Sequence, residues 1–142
     1  MELRSSDFED GGEILKKFTC NGGNIRPNLA WSELPPNTKS LAVSMIDPDA
    51  PNGRFIHWLV VNIPISTTEI RSEETVGLEL PNSIGKTEYV SPCPPSGKHH
   101  YVFTLYALDA DRLGSTEVES FFSEIKAHLI DQATLTGEYG KS

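Results

Sequence analysis

The apolar positions of this chain fall in short runs that turn-forming residues separate. Three runs rich in Val, Ile, Leu and aromatic residues predict β-strands, at residues 41–46, 57–63 and 101–108. Clusters of Gly, Pro and Asn, such as those at 21–24 and 92–97, mark the turns between such runs. The pattern predicts a mostly β protein, built as a sandwich of two antiparallel sheets.

The period of the apolar positions changes near the C-terminus, where a helix is predicted over about residues 116–134. Thr116 and Glu119 have the spacing of a capping box, and Gly137 is a plausible stop beyond the helix. The apolar face comprises Val118, Phe121, Phe122, Ile125, Leu129 and Ala133. This is one of one or two peripheral helices, and we expect it to cover an edge or an end of the sheets.

Side-chain parity predicts where the polar residues of the strands point, because side chains alternate along a strand. His57 is expected to share a face with Leu59, and His99 and Tyr101 with Phe103, while His100 points the other way. The inward-pointing polar residues stand where their strands begin. They are therefore expected at the mouth of an apolar interior, the usual setting of a small-ligand pocket.

The length and charge of the chain limit the number of domains and the kinds of partner that can be expected. The 142 residues predict a single domain, 1–142. A formal net charge of −8 disfavours nucleic acid and anionic membrane surfaces as partners. The N-terminus lacks the layout of a secretion signal, and no apolar stretch is long enough to span a bilayer, so we expect a cytoplasmic protein without stable membrane insertion. Cys20 and Cys93 are either free buried thiols or a disulfide, and the sequence leaves both open.

The segment Asp47-Pro48-Asp49-Ala50-Pro51 carries two carboxylates on a backbone that two prolines stiffen. A carboxylate can fix the tautomer of a histidine, and here Asp47 is expected to orient His57 or a ligand. Together with a tyrosine hydroxyl, such a pair makes a donor-rich pocket suited to a phosphate or carboxylate group.

Other chemistries can be drawn from the same residues. Asp47, His57 and His99 could form a two-histidine, one-carboxylate metal set, although no spacing selects it. Asp47 and Asp49 could act as an acid–base pair, but they lie on one loop rather than across a cleft. A reactive Cys93 thiolate near His99 is a weaker alternative than a structural thiol. We therefore predict no catalytic residue, no metal and no cofactor.

Three segments of the chain, 47–51, 57–64 and 92–103, resemble the phosphatidylethanolamine-binding protein family, also called the Raf kinase inhibitor protein family. The likeness is closest to its bacterial and archaeal branch and covers nearly the whole chain. It implies a β-sandwich with a small anion pocket that accepts phosphate-like groups. Carried over by position, the residues implied to line the pocket are Asp47, His57, Pro94, Pro95, His99 and Tyr101, with Asp49, Cys93 and Gly97 close by.

The resemblance also implies a function. Members of this family look like binders and regulators rather than enzymes, and some inhibit kinases or serine proteases. We therefore predict a non-enzymatic binding protein for a small anionic or phosphorylated ligand. The alternative is an inhibitor of a serine protease or kinase that acts through an exposed loop, and a homodimer is left open. One departure is His100, which stands where the family usually has arginine.

Overall fold

The computed structural model describes residues 1–140; residues 141 and 142, the end of the predicted domain, lie outside the described part. A 3-10 turn at Lys16–Phe18 accompanies the following elements, in chain order: β1 (Glu2–Arg4), β2 (Gly12–Glu13), β3 (Leu29–Ser32), β4 (Ser40–Asp47), β5 (Phe55–Ile63), β6 (Glu69–Ile70), β7 (Leu78–Leu80), β8 (Lys98–Leu108), α1 (Val118–His128) and β9 (Leu129–Gly140).

The strands form two sheets, which confirms the predicted sandwich. Within residues 1–140, one sheet has the order β2-β9-β8-β4-β5-β7 and the other the order β1-β3-β6. All pairings are antiparallel except that of β2 with β9. The three strand predictions correspond to β4, β5 and β8, each of which is longer than the apolar run that indicated it.

Two apolar clusters hold the layers together. The first lies between the sheets and includes Trp31 from the small sheet with Trp58 and Phe103 from the large one. The second lies on the outer face of the large sheet, where the Phe121 ring of α1 meets Tyr106 of β8 at a centroid distance of 5.9 Å. The helix therefore covers a face of the large sheet. The sequence had suggested that it would cover an edge or an end of the sheets.

The helix is also shorter than predicted. It begins at Val118, where Ser120 Oγ accepts the backbone N–H of Glu117 at 3.3 Å, and it ends at His128. Residues 129–140 form β9 instead, which pairs with β8 along almost its whole length. Here Ala133 and Leu135 face the inter-sheet core with the period of a strand, and a continued helix would leave the backbone groups of β8 without partners.

Gly137 ends no helix but allows a close approach between β9 and the N-terminal segment. A Cβ atom at this position would lie 2.5 Å from Cγ1 of Ile14 and 3.0 Å from Cε2 of Phe8. Ile14 is fully buried. The absence of a side chain at 137 is thus what lets this part of the sheet pack.

Candidate functional site

A pocket opens where β4 ends and where β5 and β8 begin. It is a cavity of about 190 Å³, with walls from the loops that follow β4 and precede β8. Its lining residues are Asp47, Ala50, Pro51, Phe55, His57, Val90, Ser91, Cys93, Pro94, Pro95, His99 and Tyr101. The structure thus brings most of the residues singled out from the sequence to one cavity, while Asp49 and Gly97 do not line it.

A β-bulge places His57 in the pocket. Ile46 pairs with Ile56 but the preceding residue, Met45, pairs with Trp58, so His57 is an extra residue on β5. The bulge reverses the alternation. His57 consequently lies on the inner face with Trp58 and not, as parity had predicted, with Leu59, which packs in the outer cluster.

Asp47 is paired with His99 rather than His57, which corrects the sequence-based expectation. Its Oδ2 lies 2.6 Å from His99 Nδ1, and its Oδ1 accepts the backbone N–H of Asp49 at 2.8 Å. Asp47 is 4 % and His99 7 % exposed. Each carboxylate oxygen of Asp47 therefore already has a hydrogen-bond partner.

The second ring nitrogen of His99 also faces an acceptor. Nε2 lies 3.1 Å from the backbone oxygen of Ser96. Each ring nitrogen thus lies within hydrogen-bond distance of a neighbour, Asp47 on one side and the Ser96 carbonyl on the other, so the ring is held from both sides.

His57 is held by a backbone contact. Its Nδ1 donates to the carbonyl oxygen of Val90 at 2.6 Å, which leaves Nε2 without a hydrogen bond among the described residues. Burial lowers the pKa of His57 below its ordinary value, although the bond to Val90 and the charge of Asp47 act in the opposite direction. At neutral pH the ring is therefore neutral, and Nε2 offers a lone pair.

Tyr101 forms the floor between the two histidines. Its ring centroid lies 5.3 Å from that of His57, in an edge-on arrangement, and 6.5 Å from that of His99. The hydroxyl group is buried and has no hydrogen-bond partner among residues 1–140. Burial raises the pKa of Tyr101, as does the charge of Asp47, so the hydroxyl keeps its proton. It is a buried donor without an acceptor among the described residues.

Asp49 lies outside the pocket and binds His100. Its Oδ2 accepts the backbone N–H of His100 at 2.8 Å and the ring Nδ1 at 2.7 Å. These bonds lower the pKa of Asp49 and raise that of His100, whose Nε2 also lies 3.5 Å from Glu138. The outward direction predicted for His100 is thus observed, and Asp49 fixes the loop after β4 to the start of β8.

A disulfide closes the wall formed by the loop before β8. Cys20 and Cys93 are bonded, which decides between the two states that the sequence left open. The N–H of Cys20 donates to the backbone oxygen of Pro92 at 3.1 Å, and Ser91 Oγ donates to Asn24 Oδ1. The proline-rich segment is consequently anchored to the turn at residues 19–24 by one covalent bond and two hydrogen bonds.

The alternative metal set does not assemble. His99 is hydrogen-bonded to Asp47 itself and to the Ser96 oxygen, and Nδ1 of His57 is bonded to Val90. Within the part of the chain that is described, no three His, Cys, Asp or Glu side chains are grouped so that they could hold a metal ion.

Among residues 1–140, no helix is long and apolar enough to cross a membrane.

Some lining residues were not named from the sequence. Ala50 and Pro51 belong to the proline-stiffened motif itself, and Phe55 precedes His57 by one period of the strand. The motif and the strand period could therefore have indicated these three residues as part of the pocket. Val90 and Ser91 take part through the path of the backbone. Nothing in their side-chain type indicated that the Val90 carbonyl would hold a histidine.

A two-layer β-sandwich with a small pocket at the strand ends, floored by buried His and Tyr side chains, defines a class of binding fold. The phosphatidylethanolamine-binding protein family model matches residues 4–140. A UPF0098 protein of Methanothermobacter thermautotrophicus is 38 % identical over 98 % of both chains, and one of Aquifex aeolicus is 41 % identical over 80 % of this chain and 71 % of its own. The chain belongs to the phosphatidylethanolamine-binding protein family.

Solved structures agree with this assignment. A phosphatidylethanolamine-binding protein homologue of Chlamydia trachomatis superposes with a TM-score of 0.92 and 35 % identity, over 99 % of this chain and 97 % of that one. E. coli YbcL, described as a new member of the mammalian family, superposes with a TM-score of 0.90 and 29 % identity, over 99 % of this chain and 98 % of that one. The resemblance inferred from the motifs is therefore confirmed, and it places this chain beside bacterial and archaeal members.

Proposed function

We propose that this protein is a non-enzymatic binding protein whose pocket takes the phosphoryl or carboxylate group of a small ligand. The observation that carries the proposal is the unpartnered hydroxyl of Tyr101, which together with His57 lines a cavity of about 190 Å³. A buried hydroxyl without a partner is costly, and a ligand oxygen at the floor would satisfy it.

The hydrogen bonds of the site favour an oxyanion over a cation. Asp47 is the buried carboxylate of the pocket, and both of its oxygens are occupied by His99 and by the Asp49 N–H. A ligand ammonium would have to compete with those bonds, whereas an oxyanion can accept from Tyr101 without breaking any. The net charge of −8 offers no general attraction for anions, so affinity has to come from these local donors.

The direct test is titration of the purified protein with inorganic phosphate, followed by calorimetry and by NMR of the His and Tyr rings. Tyr101→Phe removes the floor donor, and His57→Asn keeps a donor near the Val90 carbonyl while it removes Nε2. Each change is expected to weaken phosphate binding by about tenfold or more, the value of one hydrogen bond to a charged partner.

His100→Gln is the matched control, because this histidine is polar, close in sequence and outside the cavity. It should leave phosphate binding as in the wild type. Undiminished binding by the Tyr101→Phe, His57→Asn double variant would show that the pocket is not the binding site.

A second candidate function rests on the loop that precedes β8. Pro95, Ser96 and Gly97 are exposed, and the disulfide at Cys93 anchors the segment. A pre-ordered exposed loop loses little conformational entropy when it enters another protein's cleft. Inhibition of a serine protease or kinase through this loop would be abolished by Ser96→Arg, which changes a side chain outside the cavity lining and should leave phosphate binding intact, and a panel of such enzymes tests it.

A further inference from the structure

The disulfide at the pocket wall suggests a use beyond anchoring. Cys93 lines the cavity and is exposed, whereas its partner Cys20 is only half-exposed. Attack on a disulfide depends on access to the sulfur. Because Cys93 lines the pocket and Cys20 does not, a thiol that enters the pocket is placed beside Cys93. The cavity thus joins an accessible half-cystine to the donors that the proposed function assigns to an anion.

We propose that Cys93 is a site of reversible thiol exchange with a small acidic thiol, whose carboxylate or phosphate occupies the pocket while its sulfur bonds to Cys93. This inference rests on the proposed anion site and names the chemical class of one of its ligands. A thiol of this kind makes two contacts at once. Its anionic end accepts from Tyr101, and its thiolate lies beside the Cys93 sulfur.

The exchange balances without an external oxidant. The ligand thiol loses its proton to solvent, and its thiolate attacks the sulfur of Cys93. The bond between Cys93 and Cys20 breaks, a bond between Cys93 and the ligand forms, and Cys20 leaves as a thiolate that can take up a proton. One disulfide is replaced by another, so nothing in the system is oxidised or reduced overall.

The surrounding contacts keep the exchanged state folded and reversible. The bond from the Cys20 N–H to the Pro92 oxygen, at 3.1 Å, and that from Ser91 to Asn24 do not depend on the disulfide. They hold the loop in place after the sulfur bond opens. Cys20, whose Cα lies 5.4 Å from that of Cys93, stays close enough to attack the mixed disulfide and expel the ligand.

The test compares two thiols of similar size, 3-mercaptopropionate and 2-mercaptoethanol, on the oxidised full-length protein. Samples are quenched with acid and N-ethylmaleimide, and peptide mass spectrometry locates the ligand. Rates are expressed per thiolate and divided by those for the same protein unfolded in urea. We expect the ligand on Cys93, maleimide on Cys20, and a preference of about tenfold for the carboxylate thiol in the folded protein.

A second pair of variants avoids the reverse reaction. Cys20→Ser leaves Cys93 as a thiol that can be reacted with the symmetrical disulfide of 3-mercaptopropionate, and Cys93→Ser is the matched control with Cys20. The first should give the mixed disulfide faster, and Tyr101→Phe in that background should slow it. Ligand found on Cys20, or equal folded-state preference for the neutral thiol, would overturn the proposal.

Direct calorimetric titration of the same samples with inorganic phosphate separates the two proposals. Phosphate binding with no carboxylate preference in the exchange refutes the thiol proposal and leaves the anion pocket standing. Carboxylate preference without phosphate binding refutes the phosphoryl part of the proposed function and retains exchange at Cys93. Neither outcome depends on the other measurement.

Discussion

Removal of the Asp47 carboxylate should destabilise the fold far more than removal of an exposed partner of histidine. Asp47→Ala deletes the acceptor 2.6 Å from His99 Nδ1 and the acceptor 2.8 Å from the Asp49 N–H. The side chains of Asp47 and His99 are 6 % and 9 % exposed, so water is largely excluded from the bond between them. Leaving a buried polar group without its hydrogen-bond partner costs about 1–3 kcal/mol.

The chain offers a matched control in the pair of Asp109 with His128. Asp109 Oδ1 lies 2.9 Å from His128 Nδ1, but the side chain of Asp109 is 55 % exposed and that of His128 is 41 % exposed. Exposed pairs contribute about 0–1 kcal/mol, because solvent screens them and the side chains lose entropy. Asp109→Ala should therefore lower the free energy of unfolding by no more than that.

The assay is equilibrium unfolding in urea at neutral pH, followed by the fluorescence of Trp31 and Trp58, which are 3 % and 1 % exposed. We expect Asp47→Ala to lie at least about 1 kcal/mol below Asp109→Ala, with an unchanged dependence on urea concentration. A difference under about 1 kcal/mol would refute the reasoning that burial, not the presence of an Asp–His contact, determines the stabilisation.

Three further predictions follow from contacts elsewhere. Gly137→Ala should lower the free energy of unfolding by about 1–3 kcal/mol in urea, because its Cβ would overlap a buried isoleucine at 2.5 Å; an unchanged midpoint would contradict this. Asp49→Asn should lower the raised pKa of His100 in an NMR titration. A raised pKa of His100 in the folded protein adds stability at pH values below the pKa of the unfolded chain, and this stability is lost as the pH rises through the pKa of the folded protein. The variant should therefore lose stability mainly on the acidic side. Cys20→Ser with Cys93→Ser should cost about 4 kcal/mol on the chain-entropy model for a sequence separation of 73. Wild-type unfolding with and without reductant measures the same quantity, and a loss below about 1 kcal/mol would contradict the prediction.

The strands that build the site could be predicted because their signal is local. The apolar runs that indicated β4, β5 and β8 reflect burial on both faces of a central sheet, and this needs no knowledge of the partner strands. Parity also held for β8, where His99, Tyr101 and Phe103 face inward together. It failed at His57, because a bulge depends on the register of β5 against β4 and leaves no mark in the sequence of either strand.

The end of the helix was mistaken for a related reason. Leu129 and Ala133 fit a helical period, while Ala133 and Leu135 fit a strand period, and both patterns are present in the same residues. The open edge of β8 decides between them, since β9 satisfies its backbone groups over eleven pairs of residues. Tertiary pairing of this kind is outside what a single segment can indicate.

The partner of Asp47 could not be predicted from spacing either. His57 lies ten positions from it along the chain and His99 lies 52 away, yet the hydrogen bond is to His99. Adjacent placement of β8 and β4 brings the two together, while the bulge turns His57 toward the Val90 carbonyl. The disulfide likewise follows from the fold, which places residues 73 apart next to each other.

The pairing of Asp47 with His99 leaves His57 as the group that should set anion selectivity and its pH dependence. A neutral His57 has a lone pair at Nε2, and this accepts a hydrogen bond from a phosphate oxygen that still carries a proton. Sulfate has no such proton near neutral pH, so phosphate should bind more tightly there, by the value of about one hydrogen bond.

Acidification should remove this difference. The pKa of His57 is lowered by burial, so the ring gains its proton only below its ordinary range, and Nε2 then donates to either anion. Because sulfate does not itself titrate there, calorimetric titration with sulfate as a function of pH reports the protonation of the protein. Sulfate affinity should rise as pH falls through the lowered pKa in the wild type and stay flatter in His57→Asn. An equal rise in both would assign the pH dependence to another group and refute the role given to Nε2.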